Sequence, residues 1–203
     1  MPRTKEQNEA IRTEKKQIIM DAALELFAEA GYVHTSIEQI ARQAGVAKGL
    51  IYTYFKSKDD LLYNILTSGI DRMSEGLFPE HLTPETFVES VERMFDKITI
   101  QKNFFKLYTA LSVQPGVVQR LGPLADANRP FHSMVEFYNR HFGERALKEL
   151  LLMSTLSKGF SILALFGDRQ STLPMDMLKE SIVDFLHEKF GLTNREEKTE
   201  KSE

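Results

Sequence analysis

Residues 35–58 read TSIEQIARQAGVAKGLIYTYFKSK, and their punctuation decides the fold. Thr35 and Ser36 each stand three residues ahead of an acidic or amide side chain, Glu38 and Gln39, the spacing of a capping box at a helix start. Ile37, Ile40, Ala41 and Ala44 follow on one helical face, and Gly45 breaks the run. A second short helix over about 47–54 buries Val46, Leu50 or Ile51, and Phe55. It leaves Lys48, Gly49, Thr53 and Tyr54 on the opposite side. Ser57 with Asp60 is a further capping signal, so a longer helix begins there.

Two short helices around a tight turn, the first amphipathic and supporting the second, are the layout of a helix-turn-helix, whose second helix meets a major groove by its N-terminal end. The polar groups stand where phosphates would be met. Capped helix starts at Thr35/Ser36 and Ser57 offer backbone N–H groups and a positive dipole end. Lys48 and Lys58 add charge, and Tyr52 and Tyr54 carry hydroxyl donors. Gly49 has no side chain to collide with a base or sugar.

Outward from this segment the periodicity is helical almost throughout, giving an all-α chain of about nine helices. A first helix is expected over 9–31, with Ile18, Ile19, Ala22, Ala23, Leu26, Phe27 and Ala30 in one stripe and Gly31 closing it. Residues 1–8 are polar and expected to be mobile. The helix after Ser57 runs to about Leu77 and is stopped by Pro79. Further helices are expected from Thr83-Pro84, over 102–113, near 117–122, and over 124–142, 144–166 and 174–190, the last closed by Gly191. Residues 193–203 are nearly all polar or charged and read as a disordered tail. The division is residues 1–58, 59–192 and 193–203.

Composition narrows the function classes. The net charge is −3, but residues 1–58 hold nine basic and seven acidic residues, whereas the other 145 hold seventeen and twenty-two. The N-terminal part is mildly basic, which permits nucleic-acid binding without demanding it. With no cysteine, disulfides, thiolate metal sites and cysteine nucleophiles are excluded. No signal-type apolar core opens the chain, and the most apolar run, 147–166, is interrupted by charges, so a cytoplasmic protein with no membrane partner is expected. His34, His81, His132, His141 and His187 have no metal-ligand spacing, and neither a nucleotide-binding glycine motif nor a nucleophile elbow occurs. No metal, no cofactor and no enzyme activity are expected.

Residues 19–61 resemble the DNA-binding signature of TetR-type regulators. The resemblance is carried by Ala22-Ala23, Leu26-Phe27, Gly31-Tyr32, Thr35-Ser36, Ile40-Ala41, Ala44-Gly45-Val46-Ala47, Gly49, Ile51-Tyr52, Tyr54-Phe55, and Lys58 followed by an acidic residue and Leu61. It implies that Lys48, Gly49, Tyr52, Tyr54 and Lys58 touch DNA, that Ser36 and Gln39 lie near phosphates or base edges, and that Thr53 meets the groove. Arg3, Lys5, Arg12, Lys15 and Lys16 would form a basic arm. It implies a homodimer on a palindromic operator, with repression relieved by a small hydrophobic effector. A ligand-independent repressor or an activator of the same fold is the alternative.

The rest of the chain would be a helical ligand-binding and dimerisation domain. Met94, Phe95, Phe104, Tyr108, Phe131, Phe137 and Phe160 are candidates for an effector pocket implied by the resemblance, with Thr109, Gln114, Asn128 and His132 as polar contacts. Helices 144–166 and 174–190 are apolar on more than one side, a surplus that suggests a two-fold four-helix bundle. Leu156, Phe160, Leu163, Leu178, Ile182, Val183, Phe185 and Leu186 are the candidates for that interface.

Overall fold

A computed structural model describes residues 4–112, 129–166 and 174–192. The helix expected near 117–122, the first residues of the helix expected at 124–142, the 167–173 loop, the 193–203 tail, and Arg3, Gln114 and Asn128 lie outside these residues, as do the side chains of Phe131 and Phe166. The described chain is all-α: α1 (Lys5–Ala30), α2 (Ile37–Gln43), α3 (Lys48–Tyr54), α4 (Lys58–Ser74), α5 (Pro84–Ile100), α6 (Lys102–Ser112), α7 (Arg129–Phe142), a 3-10 turn (Gly143–Arg145), α8 (Ala146–Phe166) and α9 (Met175–Phe190). None of the described helices is long and apolar enough to cross a membrane.

Helix α1 starts before residue 9, which corrects the expectation of a mobile segment for Lys5–Asn8. The cause is a capping box: the Gln7 N–H donates to the Thr4 hydroxyl at 3.2 Å, and the Thr4 N–H donates to the Gln7 side-chain oxygen at 3.0 Å. Of the two boxes possible at α2, Ser36/Gln39 forms, with bonds of 3.2 and 2.7 Å. Thr35 turns inward instead, and its hydroxyl donates to the Gly31 carbonyl at 2.9 Å. Gly45 has φ +64°, so the turn between α2 and α3 needs a residue without a Cβ penalty. Ser57 caps α4, as its spacing from Asp60 predicts. That helix ends at Ser74, short of Leu77, because the chain reverses there and buries Leu77. The α5 ammonium of Lys97 donates to the carbonyls of Arg72 (3.0 Å) and Glu75 (2.7 Å), covering acceptors that the end of α4 leaves open.

One hydrophobic core runs through the described residues, from Ile19, Phe27, Ile40, Ile51 and Phe55 through Leu61 and Leu66 to Phe87, Phe95, Phe137 and Leu186. Helix α1 packs on α2, α4 and α6, and α5 packs on α6, α8 and α9. Gly69 brings α4 close to α6: a Cβ there would lie 2.1 Å from the buried Phe104 ring. In the C-terminal part, aromatic rings meet directly, Phe87 on Phe137 at 4.8 Å and Phe95 on Phe160 at 4.2 Å between centroids.

Candidate nucleic-acid interface

Helix α3 is held from beneath by Ile51 and by Phe55 at its C-terminal end, both fully buried in the core. That anchor turns Lys48, Gly49, Tyr52 and Thr53 outward, and all four are exposed. Gly49 has an ordinary helical backbone, and a Cβ built on it would meet nothing within 4 Å. The fold therefore does not require glycine at this position. Tyr52 is half exposed, at 51%. The Thr53 hydroxyl donates to the Gly49 carbonyl at 3.2 Å.

Tyr54 sits lower on the helix, part-buried, with the Arg12 guanidinium 5.8 Å from its ring centroid. Arg12 thus braces the edge of α3 from α1. Lys16 donates to the Asn64 side chain at 2.9 Å and so ties α1 to α4. Lys5 and Lys15 are exposed on α1. Ser36 and Gln39 both serve the α2 cap as acceptors, which leaves the Ser36 O–H and the Gln39 amide N–H groups as donors still able to reach outward.

The two lysines expected at phosphates are both engaged within the chain. The Lys58 ammonium, half buried, donates to the carbonyls of Tyr32 and Thr35, each at 2.9 Å, and lies 4.4 Å above the Tyr32 ring. The Tyr32 hydroxyl in turn donates to the Asp59 carboxylate. The start of α4 is thereby clasped to the loop between α1 and α2. Lys48 pairs with the exposed carboxylate of Glu38 on α2. The hydrogen bond with Lys48 holds the Glu38 carboxyl below its ordinary pKa, and the same bond raises that of the Lys48 ammonium. Sequence reasoning gave Glu38 only a capping part. The available signal was that Glu38 is the one carboxylate between Thr35 and Lys58.

In the C-terminal part, Phe95, Phe104, Phe137 and Phe160 are buried, Met94 is half-buried, and Tyr108 is exposed and stacked on Phe104 at 6.0 Å. Phe95 packs on Phe160, Phe137 on Phe87 and Phe104 on Phe105, so among the described residues these candidates are aromatic core. Thr109 is half-buried and His132 exposed. A residue outside the candidate set has a polar group with no hydrogen-bond partner among the described residues: the Tyr138 hydroxyl is buried, and burial pushes its pKa well above the ordinary tyrosine range. An open cleft of about 310 Å3 lies elsewhere, between α1 and α4, with Thr13, Lys16, Gln17, Tyr63, Asn64 and Asp71 among its walls.

The expected interface residues separate into two groups. Phe160, Ile182 and Leu186 are 3%, 7% and 0% exposed within the single chain and build its own core, because the inner stripes of α8 and α9 face α5. Leu163 and Phe185 are exposed, and Leu156, Leu178 and Val183 are half-buried. The outer face of α8 and α9 also exposes Leu147, Leu151, Leu152, Ile162 and Met177, which the sequence reading left out. Leu151 and Ile162 stand eleven residues apart, three helical turns, on one side of α8.

Residues 19–65 match the profile of the bacterial regulatory proteins of the tetR family. The fatty acid metabolism regulator protein of Bacillus subtilis (strain 168) is 36% identical over 89 residues, 42% of this chain and 46% of that protein. The HTH-type transcriptional regulator HbdR of Aromatoleum sp. (strain CIB) is 42% identical over 81 residues, 40% of this chain and 34% of that protein. The matched part thus spans less than half the length of either relative. The fold likeness extends further. The transcriptional regulator FadR from Bacillus subtilis, solved in complex with stearoyl-CoA, superposes with a TM-score of 0.67 at 21% identity, over 84% of this chain and 96% of that one. A regulator from Aquifex aeolicus VF5 superposes with a TM-score of 0.65 at 24% identity, over 85% and 97%. Residues 19–65, which hold the α2–α3 unit and the first half of α4, are thus similar to the tetR family of bacterial regulatory proteins, and the fold of the rest is similar to that of solved transcriptional regulators.

Proposed function

We propose that this chain is a DNA-binding transcriptional regulator, a homodimer that reads a palindromic operator through α3 and is released from it by a hydrophobic effector. The observation that carries the reading is the outer face of α3: Lys48, Gly49, Tyr52 and Thr53 are exposed together over a fully buried anchor, with open space above Gly49. That surface fits close approach to base edges, and a two-fold dimer would set two such helices about 34–36 Å apart in successive major grooves. The exposed leucines and isoleucine of α8, with Met177 and Phe185 of α9, suit the dimer contact, since large exposed apolar surface marks an association site.

Helix α4, seventeen residues and about 26 Å long, joins the two ends. Its first turn is clasped to the α1–α2 loop through Lys58, its middle touches Phe104, and its last carbonyls are held by Lys97. An effector that favours a tilted α4 would change the spacing of the two α3 helices. A coupling of about 1–3 kcal/mol weakens binding roughly 5–150-fold. Two relatives connected with fatty acids, one by sequence and one holding stearoyl-CoA, favour a long acyl chain, free or as a thioester, as effector.

A gel shift with the DNA upstream of the chain's own gene tests the reading, because regulators of this kind often sit beside their targets. A salt-sensitive shift is expected, and stearoyl-CoA at micromolar concentration is expected to release it. No shift at low salt rejects the DNA-binding reading. A shift that no acyl-CoA alters favours ligand-independent repression.

A further inference from the structure

Resting on the DNA-binding reading of α3, we propose that Glu38 is a specificity-determining residue: its carboxylate occupies Lys48 and so lowers the attraction of the reading head for DNA backbone of any sequence.

The geometry is local. Glu38 lies in the first turn of α2 and Lys48 is the first residue of α3, and the two side chains join across the turn at Gly45. Both are largely in solvent, at 65% and 49% exposed, so DNA approaching α3 meets the pair as a unit. Between Thr35 and Lys58 the chain has four basic side chains, Arg42, Lys48, Lys56 and Lys58, and Glu38 as its one acid. Lys58 is already turned onto two carbonyls. Lys48 is the basic side chain at the first position of α3, so one carboxylate has leverage over the charge there.

Backbone attraction is sequence-independent and grows with each phosphate neutralised, whereas base contacts carry discrimination. A lysine that must leave a carboxylate before it meets a phosphate contributes less to the first term and leaves the second unchanged. Glu38 thus lowers affinity for unrelated duplex, and a correct operator compensates through contacts of Gly49, Tyr52 and Thr53 that unrelated DNA does not make. An exposed ion pair is a weak restraint, so a phosphate in the right place can displace it.

The test uses the full-length protein with two fluorescein-labelled 40-base-pair duplexes, one of scrambled sequence and one from the chain's own upstream region, each titrated across salt. Glu38→Gln keeps the size of the side chain and removes its charge. Binding to scrambled duplex is expected to tighten about three- to fivefold, the scale of an exposed ion pair. Its log K against log salt is expected to steepen by up to about 0.9 per engaged α3. The ratio of upstream to scrambled affinity is expected to fall. In a Lys48→Met background the gain is expected to vanish, because Glu38 acts through Lys48. A gain of binding is not a result that misfolding produces. Unchanged or weaker binding by Glu38→Gln, where Lys48→Met also weakens binding, would overturn the inference and make Glu38 a support for Lys48. A gain that persists in the Lys48→Met background would overturn the route through Lys48. Wild-type protein that ignores both duplexes at every salt would overturn the DNA-binding reading, and the role of Glu38 with it.

Discussion

Helices α2–α3 and helices α8–α9 are both short stories of apolar and polar faces, but they differ in what completes them. In α2–α3 the anchoring side chains Ile37, Ile40, Ala41, Ile51 and Phe55 are all buried, Leu50 is half-buried, and the outside is mostly polar, with Tyr52 as its one large exposed ring. In α8–α9 the chain fills one stripe and leaves another open, so that Leu151 and Ile162 are 60% and 48% exposed while Phe160 and Leu186 are buried beside them. The first region is finished as a fold and unfinished as a polar surface. The second is unfinished as a fold. A surface that needs polar, salt-sensitive contacts suits a charged polymer, and one that needs apolar cover suits another copy of the same face.

The sharpest way to break this contrast is at the anchor of α3. Phe55→Ala removes a fully buried ring at the junction of α3 and α4 and is expected to destabilise the chain by about 3–5 kcal/mol. Chemical denaturation measures it. A loss below about 1 kcal/mol would mean that α3 is not set by burial from beneath, and that its outer face owes its position to something else.

The next largest effect lies in α8. Leu151→Glu with Ile162→Glu is expected to leave helicity and melting of the monomer nearly unchanged, since both side chains are exposed. A carboxylate carried into an apolar contact costs about 1–3 kcal/mol, so the pair should raise the dimer dissociation constant by a factor of roughly thirty or more. Sedimentation velocity reads the outcome directly. A dimer that persists would move the interface off this face. Ile182, which the sequence marks equally, is the wrong site for such a test, because it is buried in the chain and a charge there would unfold it.

That last point shows where sequence legibility ends. A helical stripe says that a side chain is covered, and capping residues say where a helix begins; both are local. Hence the short helices, the turn at Gly45 and the start of α4 at Ser57 were readable within a residue or two. Which of two apolar stripes on α9 faces inward is decided by α5 and α8, more than seventy residues distant in one case, and periodicity carries no trace of it. The partners of Lys48 and Lys58 are hidden in the sequence for the same reason: Glu38 and the carbonyls of Tyr32 and Thr35 come from across a turn or from another helix end. The start of α1 escaped notice because Thr4 and Gln7 stand in a run of polar residues with no apolar stripe beside them.

Lys58 offers a smaller and more discriminating test. Lys58→Met keeps the aliphatic stem and removes two charge-assisted bonds of 2.9 Å. Such bonds contribute about 1.5–3 kcal/mol when buried, and the half-exposed position of this ammonium reduces that to roughly 1 kcal/mol. Stability should fall by that amount, and DNA affinity should weaken as the α1–α2 loop loosens. The salt slope should stay as it is in the wild type. A slope flattened by about 0.9 per protomer would show a phosphate contact after all and would return Lys58 to the role its sequence position suggests.

The smallest change in the molecule bears most directly on what α3 is for. Gly49 is a weak residue for a helix, and nothing within 4 Å of a built Cβ explains its presence. If only folding acted on this position, Gly49→Ala would be an improvement of about 0.5–1 kcal/mol, visible as a higher melting temperature. Against DNA the same methyl group occupies the space through which a sugar or base edge must approach, and affinity should fall about fivefold, or close to 1 kcal/mol. The two effects have opposite signs in one variant, so neither misfolding nor a general change in charge can produce the pair. A variant that melts higher and binds DNA as well as before would mean that α3 does not make its closest approach at Gly49. The bases would then be met farther along the helix, by the Tyr52 side chain, which is long enough to reach them from a distance.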